Sequence, residues 1–282
     1  TIKSTETETA WVGDMTNHTI NGDVTVERYI NIGPGKHGKA WEFVSAPVTG
    51  VNVKNSWMEG GSLLSTGYGT QITGPGAPAT TGFDLTSPAP SMKYYDPASY
   101  PIWWKGVASA NAKLYDLADT NTQKGYMLFV RGDRSVSGIA PNDVPNPTTL
   151  RAKGKLITGP VTISIPANSF ASIGNPYAGA VDMKKIQKTG GVDEFFTLWN
   201  SNVNGSPSLY GFGLYSTYSL NSDGDYESTP GGAINNFIQS GQAFFTQTTG
   251  TAGSVVFSEG SKANSSAGFI PFFRPQGTSG KT

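Results

Sequence analysis

The chain has 282 residues with 20 basic and 20 acidic side chains, so its formal net charge of zero favours neither nucleic acid nor an acidic membrane surface as a partner. The absence of cysteine excludes disulfides, thiolate zinc sites and cysteine nucleophiles. Charged residues make up only 14% of the sequence, and this scarcity is typical of a secreted, β-rich protein with a hydroxyl-rich surface. No stretch approaches the roughly 20 apolar residues that are needed to span a bilayer.

The first 28 residues form a Thr-rich segment with predicted turns at Gly13-Asp14 and Asn21-Gly22. This pattern predicts a β-solenoid-like lead-in over residues 1–28, which runs into the next domain. The opening TIKSTETETAWVG shows no signal-peptide pattern, and we expect it to be an internal segment of a longer protein.

The stretch GPGKHGKA, from Gly33 to Ala40, matches three of the four fixed positions of a phosphate-binding P-loop. A P-loop also needs a Ser or Thr after the Lys to bind magnesium, and a helix whose first N–H groups hold the phosphate. Here Ala40 replaces the hydroxyl residue, and the run WEFVSAP that follows indicates a strand. The sequence therefore predicts a connection between two strands and not a nucleotide site.

Short strand patterns, rich in β-branched and aromatic residues and separated by Gly, Pro and Asn, fill the rest of the chain. They predict an all-β fold built from antiparallel sandwich or jelly-roll layers. A faint repeat relates WEFVSAPVTGVNV from Trp41 to FASIGNPYAGAVDM from Phe170, and it predicts two tandem modules over residues 29–158 and 159–282. The alternative is one continuous sandwich to which both halves contribute strands. Three short helices are expected near residues 111–117, 181–188 and 233–238.

The segment YYDPASYPIWW concentrates aromatic side chains, four of which are predicted to form a carbohydrate-binding platform: Tyr94, Tyr95, Trp103 and Trp104. Because neighbouring strand residues point to opposite faces, one of the two tryptophans should face the core and the other the solvent, unless the segment is a loop. A second aromatic cluster is YGFGLYSTY at residues 210–218. The alternative for both clusters is ordinary packing of large aromatic residues beneath loops.

The segment NSDGDYE places side-chain oxygens at alternate positions, on Asn221, Asp223, Asp225 and Glu227. Calcium takes six to eight oxygen ligands, so these four residues are a candidate structural calcium site, the only cofactor that the sequence suggests. The segment lacks the glycine and the final glutamate of an EF-hand loop. The alternative is a solvated acidic turn.

The tripeptide RGD at residues 131–133 follows the apolar run YMLFV, and it is predicted to be a strand-ending turn in which Asp133 pairs or caps, rather than an integrin-binding site. No metalloprotease, hydrolase or kinase motif is present. Paired carboxylates for glycoside hydrolysis remain open, because such pairs form in space and not in sequence. Glu42 and Asp182 come nearest to strand positions, and each fits a hydrogen-bonding anchor better.

Several segments together resemble the β-rich region of large surface and secreted proteins of the Bacteroidota. They include GDVTVERYI, AWEFVSAPVTG, GYMLFVRGDR, TTLRAKGKLITG, IGNPYAGAVDM and IQSGQAFF. The resemblance covers nearly the whole chain, and its motifs are specific only as a set. It implies export to the cell surface or the medium, and a position before a C-terminal type IX secretion sorting domain. It supplies no catalytic residues.

The function expected from these observations is that of a non-catalytic extracellular module of a bacterial surface protein, acting as a structural spacer or an adhesion part. One alternative is a carbohydrate-binding module, and another is a glycan-active enzyme with spatially paired carboxylates. The expected partners are neighbouring domains of the same polypeptide and glycans, and not nucleic acid. The chain is not expected to span a membrane.

Overall fold

The computed structural model describes residues 1–33, 38–116, 125–135, 142–201, 213–229 and 232–263. These residues are almost entirely β-structure and irregular connections, which confirms the predicted all-β class. The strands of the first part are β1 (Val24–Ile30), β2 (Ala40–Val44), β3 (Val48–Thr49), β4 (Thr73–Gly74), β5 (Leu85–Thr86), β6 (Met92–Tyr95), β7 (Trp104–Gly106), β8 (Tyr126–Val130) and β9 (Thr148–Leu156). Those of the second part are β10 (Val161–Ile165), β11 (Phe170–Gly174), β12 (Val181–Asp182), β13 (Gln187–Val192), β14 (Phe195–Asn200), β15 (Leu214–Leu220), β16 (Tyr226–Thr229), β17 (Phe237–Ile238) and β18 (Ala243–Phe257). Short helical turns cover Glu59–Gly61, Pro78–Thr81 and Glu259–Ser261.

The three short helices predicted from the sequence are wrong. Residues 181–188 contain β12 and the start of β13, and residues 233–238 contain β17, which pairs with β12. Residues 111–116 form turns and a bridge from Lys113 to Asn52, and residue 117 lies outside the described residues. Segments this short cannot hold a helix by themselves, so pairing with distant strands decides their structure. No helix in the described part of the chain is long and apolar enough to cross a bilayer.

The strands form several open sheets, which are antiparallel except for the pair β4 and β5. In the first part, β9 lies between β1 and β3, and a second sheet has the order β2-β8-β6-β7. In the second part, β18 pairs with β10, β11, β13 and β14, and β15 and β16 continue the sheet beyond β14. Within the described ranges, no sheet combines strands from both sides of residue 158. That the two parts are duplicated modules stays a prediction.

The first hydrophobic core lies between the two main sheets of the first part. Strand alternation points Val44, Met92 and Leu128 to one face of the β2-β8-β6-β7 sheet. These side chains are buried together with Val26 and Leu150 from β1 and β9. The arrangement is that of two sheets packed face to face, as predicted for a sandwich.

The second core is centred on the long strand β18. Phe244 of β18 is fully buried beside Phe196 of β14, which stacks on Tyr218 of β15 with ring centroids 5.1 Å apart. The first residues of β18 pair with β11 and β14, and its last residues pair with β10 and β13. Gly250, with a φ of 77°, lies between these two sections. One strand therefore connects two sections of sheet around the same core.

A layer of aromatic rings joins the two parts of the chain. The face of the β2-β8-β6-β7 sheet that is turned away from the first core carries Phe43, Tyr95 and Trp104. The facing sheet contributes Phe245 of β18, whose ring centroid lies 5.0 Å from that of Phe43, 5.1 Å from Tyr95 and 5.7 Å from Trp104. Tyr215 of β15 completes this layer at 5.9 Å from Phe245. We call these five residues the aromatic layer.

The N-terminal segment contacts both parts. Ile2 forms a parallel bridge with Val26 of β1. The buried ammonium group of Lys262 donates a hydrogen bond to the carbonyl of Gly13 at 3.0 Å. The segment is therefore held against both parts of the chain, while its solenoid-like character stays a prediction.

Candidate functional site

The four aromatic residues predicted as a platform do not share one surface. Tyr95 and Trp104 are register partners on β6 and β7, and both belong to the aromatic layer. Tyr94 points to the other side of the sheet, against the first core. Trp103 lies in the loop between β6 and β7, is 42% exposed, and contacts the ring of Tyr100. Trp103 thus lies in a loop and not in a strand, so the expectation that strand alternation turns one tryptophan inward and the other outward does not apply to this pair.

An open groove of about 240 Å³ lies next to the aromatic layer, and we call it the aromatic groove. Strands β2, β6, β7 and β8 supply four lining residues, and β14 and β15 supply two. These are Trp41, Lys93, Trp104 and Met127, with Trp199 and Tyr215. Because alternation places them on the inner faces of the two facing sheets, the groove exists only when both parts of the chain are packed together.

The indole ring of Trp199 is fixed from three sides. Its Nε1–H donates a hydrogen bond of 2.6 Å to the carbonyl of Trp41, across the junction of the two parts. The ring of Tyr215 meets it edge to face with centroids 4.8 Å apart. At Gly213 a Cβ atom would lie 2.4 Å from the indole, so this position requires glycine if the ring is to stay in place. The groove wall is therefore preorganised.

Two of the six lining side chains are polar. Burial raises the pKa of Tyr215 to about 12, further above neutral pH than its ordinary value of 10.0, so the protonated phenol can donate a hydrogen bond. The ammonium group of Lys93 lies 4.9 Å from the ring centroid of Trp41, within the range of a cation–π interaction. The groove thus combines apolar ring surface with one hydroxyl donor and one cation.

No family model, curated protein or solved structure matches the chain. The resemblance to Bacteroidota surface proteins therefore rests on sequence segments alone and stays a prediction. The function of the groove is therefore inferred from the chemistry of its lining residues. Mostly apolar concavities with a few placed polar groups are the usual form of small-ligand sites.

Sequence reasoning found Trp104 and the second aromatic cluster, but it missed Trp41, Trp199, Lys93 and Met127. Residues 210–212 of that cluster lie outside the described residues, whereas Tyr215 lines the groove. Trp41 and Trp199 are 158 residues apart and stand singly in their strands. Alternation along each strand places these side chains on a face, but it does not show that the two faces meet.

The four candidate calcium ligands lie at the hairpin between β15 and β16. The side-chain oxygen of Asn221 accepts the N–H groups of Asp223 at 3.0 Å and of Asp225 at 2.9 Å. The carboxylate of Asp225 forms an ion pair with Lys184, and Glu227 lies 3.5 Å from the Asn221 amide. Among the described residues there is no group of three or more His, Cys, Asp or Glu placed to hold a metal ion. A calcium site here stays a prediction, and binding would have to displace Lys184.

The two short motifs, GPGKHGKA and RGD, border strands β2 and β8. Residues 34–37 of GPGKHGKA lie outside the described residues, and the segment ends at the start of β2, so a strand follows it as predicted. In RGD the carboxylate of Asp133 is 2% exposed, accepts the N–H of Gly67 at 2.6 Å, and also accepts the hydroxyl of Ser135. The prediction that Asp133 stabilises a turn is confirmed.

Glu42 and Asp182, the nearest candidates for paired carboxylates, lie in different sheets. Asp182 of β12 accepts the N–H of Lys184 at 3.0 Å and so anchors a turn, as expected. Glu42 of β2 is fully buried, and burial raises its pKa to about 8. The nearby Ser201 hydroxyl and the positive charge of Arg28 act in the opposite direction and lower the pKa. The structure does not bring the two carboxylates together.

Glu42 is expected to make the protein less stable as the pH rises. Its folded-state pKa of about 8 exceeds the ordinary value of 4.5, so the folded protein binds more protons than the unfolded chain between these pH values. The stabilisation is complete below pH 4.5 and declines as the pH rises through 8, by at most about 1.4 kcal/mol per pH unit. Urea unfolding of the wild type and of Glu42→Gln between pH 5 and 8.5 measures the effect.

The Glu42→Gln variant should show a flatter pH dependence than the wild type, whereas Glu8→Gln, at an exposed carboxylate, should leave the dependence unchanged. A Glu42→Gln curve that runs parallel to that of the wild type would show that Glu42 is already ionised in the folded protein.

Proposed function

We propose that the chain is a non-catalytic, extracellular adhesion module of a larger bacterial surface protein, and that it binds glycans in the aromatic groove. The observation that carries the proposal is the convergence of three tryptophans and Tyr215 from two sheets on one open concavity. Its partners would be the neighbouring domains of the same polypeptide and a surface glycan. The proposed location outside the cell agrees with the low fraction of charged residues.

Sugar rings suit this surface because they have one face of C–H groups and a rim of hydroxyl groups. Aromatic side chains offer large apolar faces with little loss of conformational entropy. The phenol of Tyr215 can donate a hydrogen bond to a hydroxyl group at the rim. The groove volume of about 240 Å³ lies below the roughly 300–1,000 Å³ typical of pockets for drug-sized ligands. The groove would therefore hold one sugar unit, and its open side would let the rest of the glycan extend into solvent.

The adhesion role is favoured over that of an in-line spacer by the aromatic groove, because a spacer needs no ligand-binding concavity.

Trp199→Ala is expected to weaken glycan binding at least tenfold, because a few aromatic anchors, tryptophan above all, carry most of the binding energy of such surfaces. A glycan array would identify ligands, and titration calorimetry with the best of them would give the affinities of the variants. Tyr215→Ala, at the partly exposed wall, should also weaken binding, and it provides a second test if Trp199→Ala fails to fold.

Trp103→Ala is the matched control, because this exposed tryptophan lies outside the groove. It should leave the affinity unchanged. If Trp103→Ala abolishes binding while the groove variants retain it, the loop between β6 and β7 is the site and the groove is not. Recovery of shortened oligosaccharides after incubation would contradict the non-catalytic assignment.

A further inference from the structure

The side chain of Lys93 is the one charged group in the lining of the aromatic groove. It stands in the middle of β6, with Met127 and Gly106 as its register partners on the two neighbouring strands. It is partly buried and lies beside the ring of Trp41. Neither register partner has a side chain that accepts a strong hydrogen bond. The sheet thus presents an ammonium group from an otherwise apolar wall.

No carboxylate among the described residues forms an ion pair with Lys93. Asp96, three residues along the chain, is engaged in its own turn with Ser99 and the N–H of Ala98. The contact with Trp41 satisfies the cation only partly, because an ammonium group has three N–H donors and a ring face accepts weakly. The groove therefore has an excess of positive charge and unused donors.

We propose that the aromatic groove selects acidic glycans, in which a carboxylate or sulfate group on the bound sugar is held by Nζ of Lys93. This inference rests on the proposed glycan-binding function. The sugar ring would pack against Trp104, Trp199 and Tyr215, and the anion would lie at the Trp41 side of the groove. Charge-assisted hydrogen bonds in a partly desolvated site are stronger than those between neutral groups, so the anion would decide which glycan binds.

The experiment compares matched pairs of oligosaccharides that differ only at C6: glucuronic acid with glucose, galacturonic acid with galactose, and mannuronic acid with mannose. A 6-sulfated galactose oligosaccharide distinguishes a sulfate ligand from a carboxylate ligand. Calorimetric titration of the full chain should give at least tenfold tighter binding for the acidic member of one pair, or for the sulfated sugar over galactose. That affinity should fall as sodium chloride is raised from 50 to 300 mM, while the neutral affinity stays constant.

Lys93→Met keeps the length of the side chain and removes its charge. It should lower the affinity for the acidic sugar to that for the neutral one, so that the ratio of the two affinities falls to about one. Lys93→Arg should retain the preference, so it tests the charge even if Lys93→Met folds poorly. The matched control is Lys105→Met, because Lys105 of β7 pairs with Tyr94 and points to the opposite face of the same sheet. It should change neither affinity.

The outcomes separate the two proposals. If neutral and acidic sugars bind equally well and Lys93→Met alters neither, the preference for acidic glycans is overturned while the groove remains a glycan site. If Lys105→Met removes the preference as completely as Lys93→Met, general surface charge is responsible and the assignment to Lys93 is wrong. If no sugar of either class binds, the proposed function itself fails.

Discussion

Phe245→Ala is expected to lower the free energy of unfolding by about 3–5 kcal/mol, the usual cost of removing a buried phenylalanine. Phe245 is 9% exposed and contacts four other rings of the aromatic layer, three of them from the first part of the chain. Each such ring pair contributes about 0.5–1.5 kcal/mol beyond the burial of its area. Chemical denaturation followed by tryptophan fluorescence and by far-UV circular dichroism measures the loss.

Phe170→Ala is the matched control for this prediction. Phe170 lies on β11, on the same face as Phe245, but it is 47% exposed, so its removal should cost less than about 1 kcal/mol. Equal losses for the two variants would show that the aromatic layer is not a packed interface.

The same pair of variants tests whether the two parts of the chain depend on each other. If the aromatic layer couples them, the wild type unfolds in one transition and Phe245→Ala separates it into two. The variant should also lose glycan binding, because the groove is made of residues from both parts. A Phe245→Ala protein that keeps a single transition and full binding would contradict the coupling.

The fold class could be predicted from the sequence because the patterns that indicate strands are local. Short β-branched and aromatic runs between glycines and prolines indicate strands wherever they occur. Alternation along β6 correctly separates Tyr94, against the first core, from Tyr95 in the aromatic layer. The predicted helices are wrong because the contacts that decide these segments are not local. Val181 and Ile238, for example, pair with each other although they lie far apart in the sequence.

The site was only partly predictable because most of its residues stand alone in their strands. Local density of aromatic residues pointed to the segment around Trp103, yet the groove takes single residues from six strands. The contact between Trp199 and Trp41 joins sheets from opposite parts of the chain, and no spacing in the sequence encodes it. The ion pair of Asp225 could not be predicted for the same reason, because its partner Lys184 lies 41 residues away in the sequence.

Lys262→Met is expected to cost about 3–5 kcal/mol of stability, because it leaves a buried carboxylate without its counter-ion. Nζ of Lys262 lies 2.6 Å from the carboxylate of Glu259, with the two side chains 2% and 8% exposed. It also donates to the carbonyl of Gly13 and lies 4.6 Å from the ring centroid of Tyr177. Glu259 in turn accepts the N–H of Met15. Removing the cation should therefore both destabilise the fold and release the N-terminal segment, which faster amide hydrogen exchange at Met15 would report.

Two further variants separate the lost ion pair from a general effect of removing a lysine. Lys113→Met breaks the ion pair between Lys113 and Asp116, in which the two side chains are 60% and 29% exposed. Its loss should lower the free energy of unfolding by only about 0–1 kcal/mol. The double variant Lys262→Met/Glu259→Gln should be less destabilised than Lys262→Met, because no unpaired charge is then buried. If the double variant is instead the less stable of the two, the Glu259 carboxylate still stabilises the fold through the N–H groups of Met15 and Gly159, and the unpaired buried charge is not the cause of the loss.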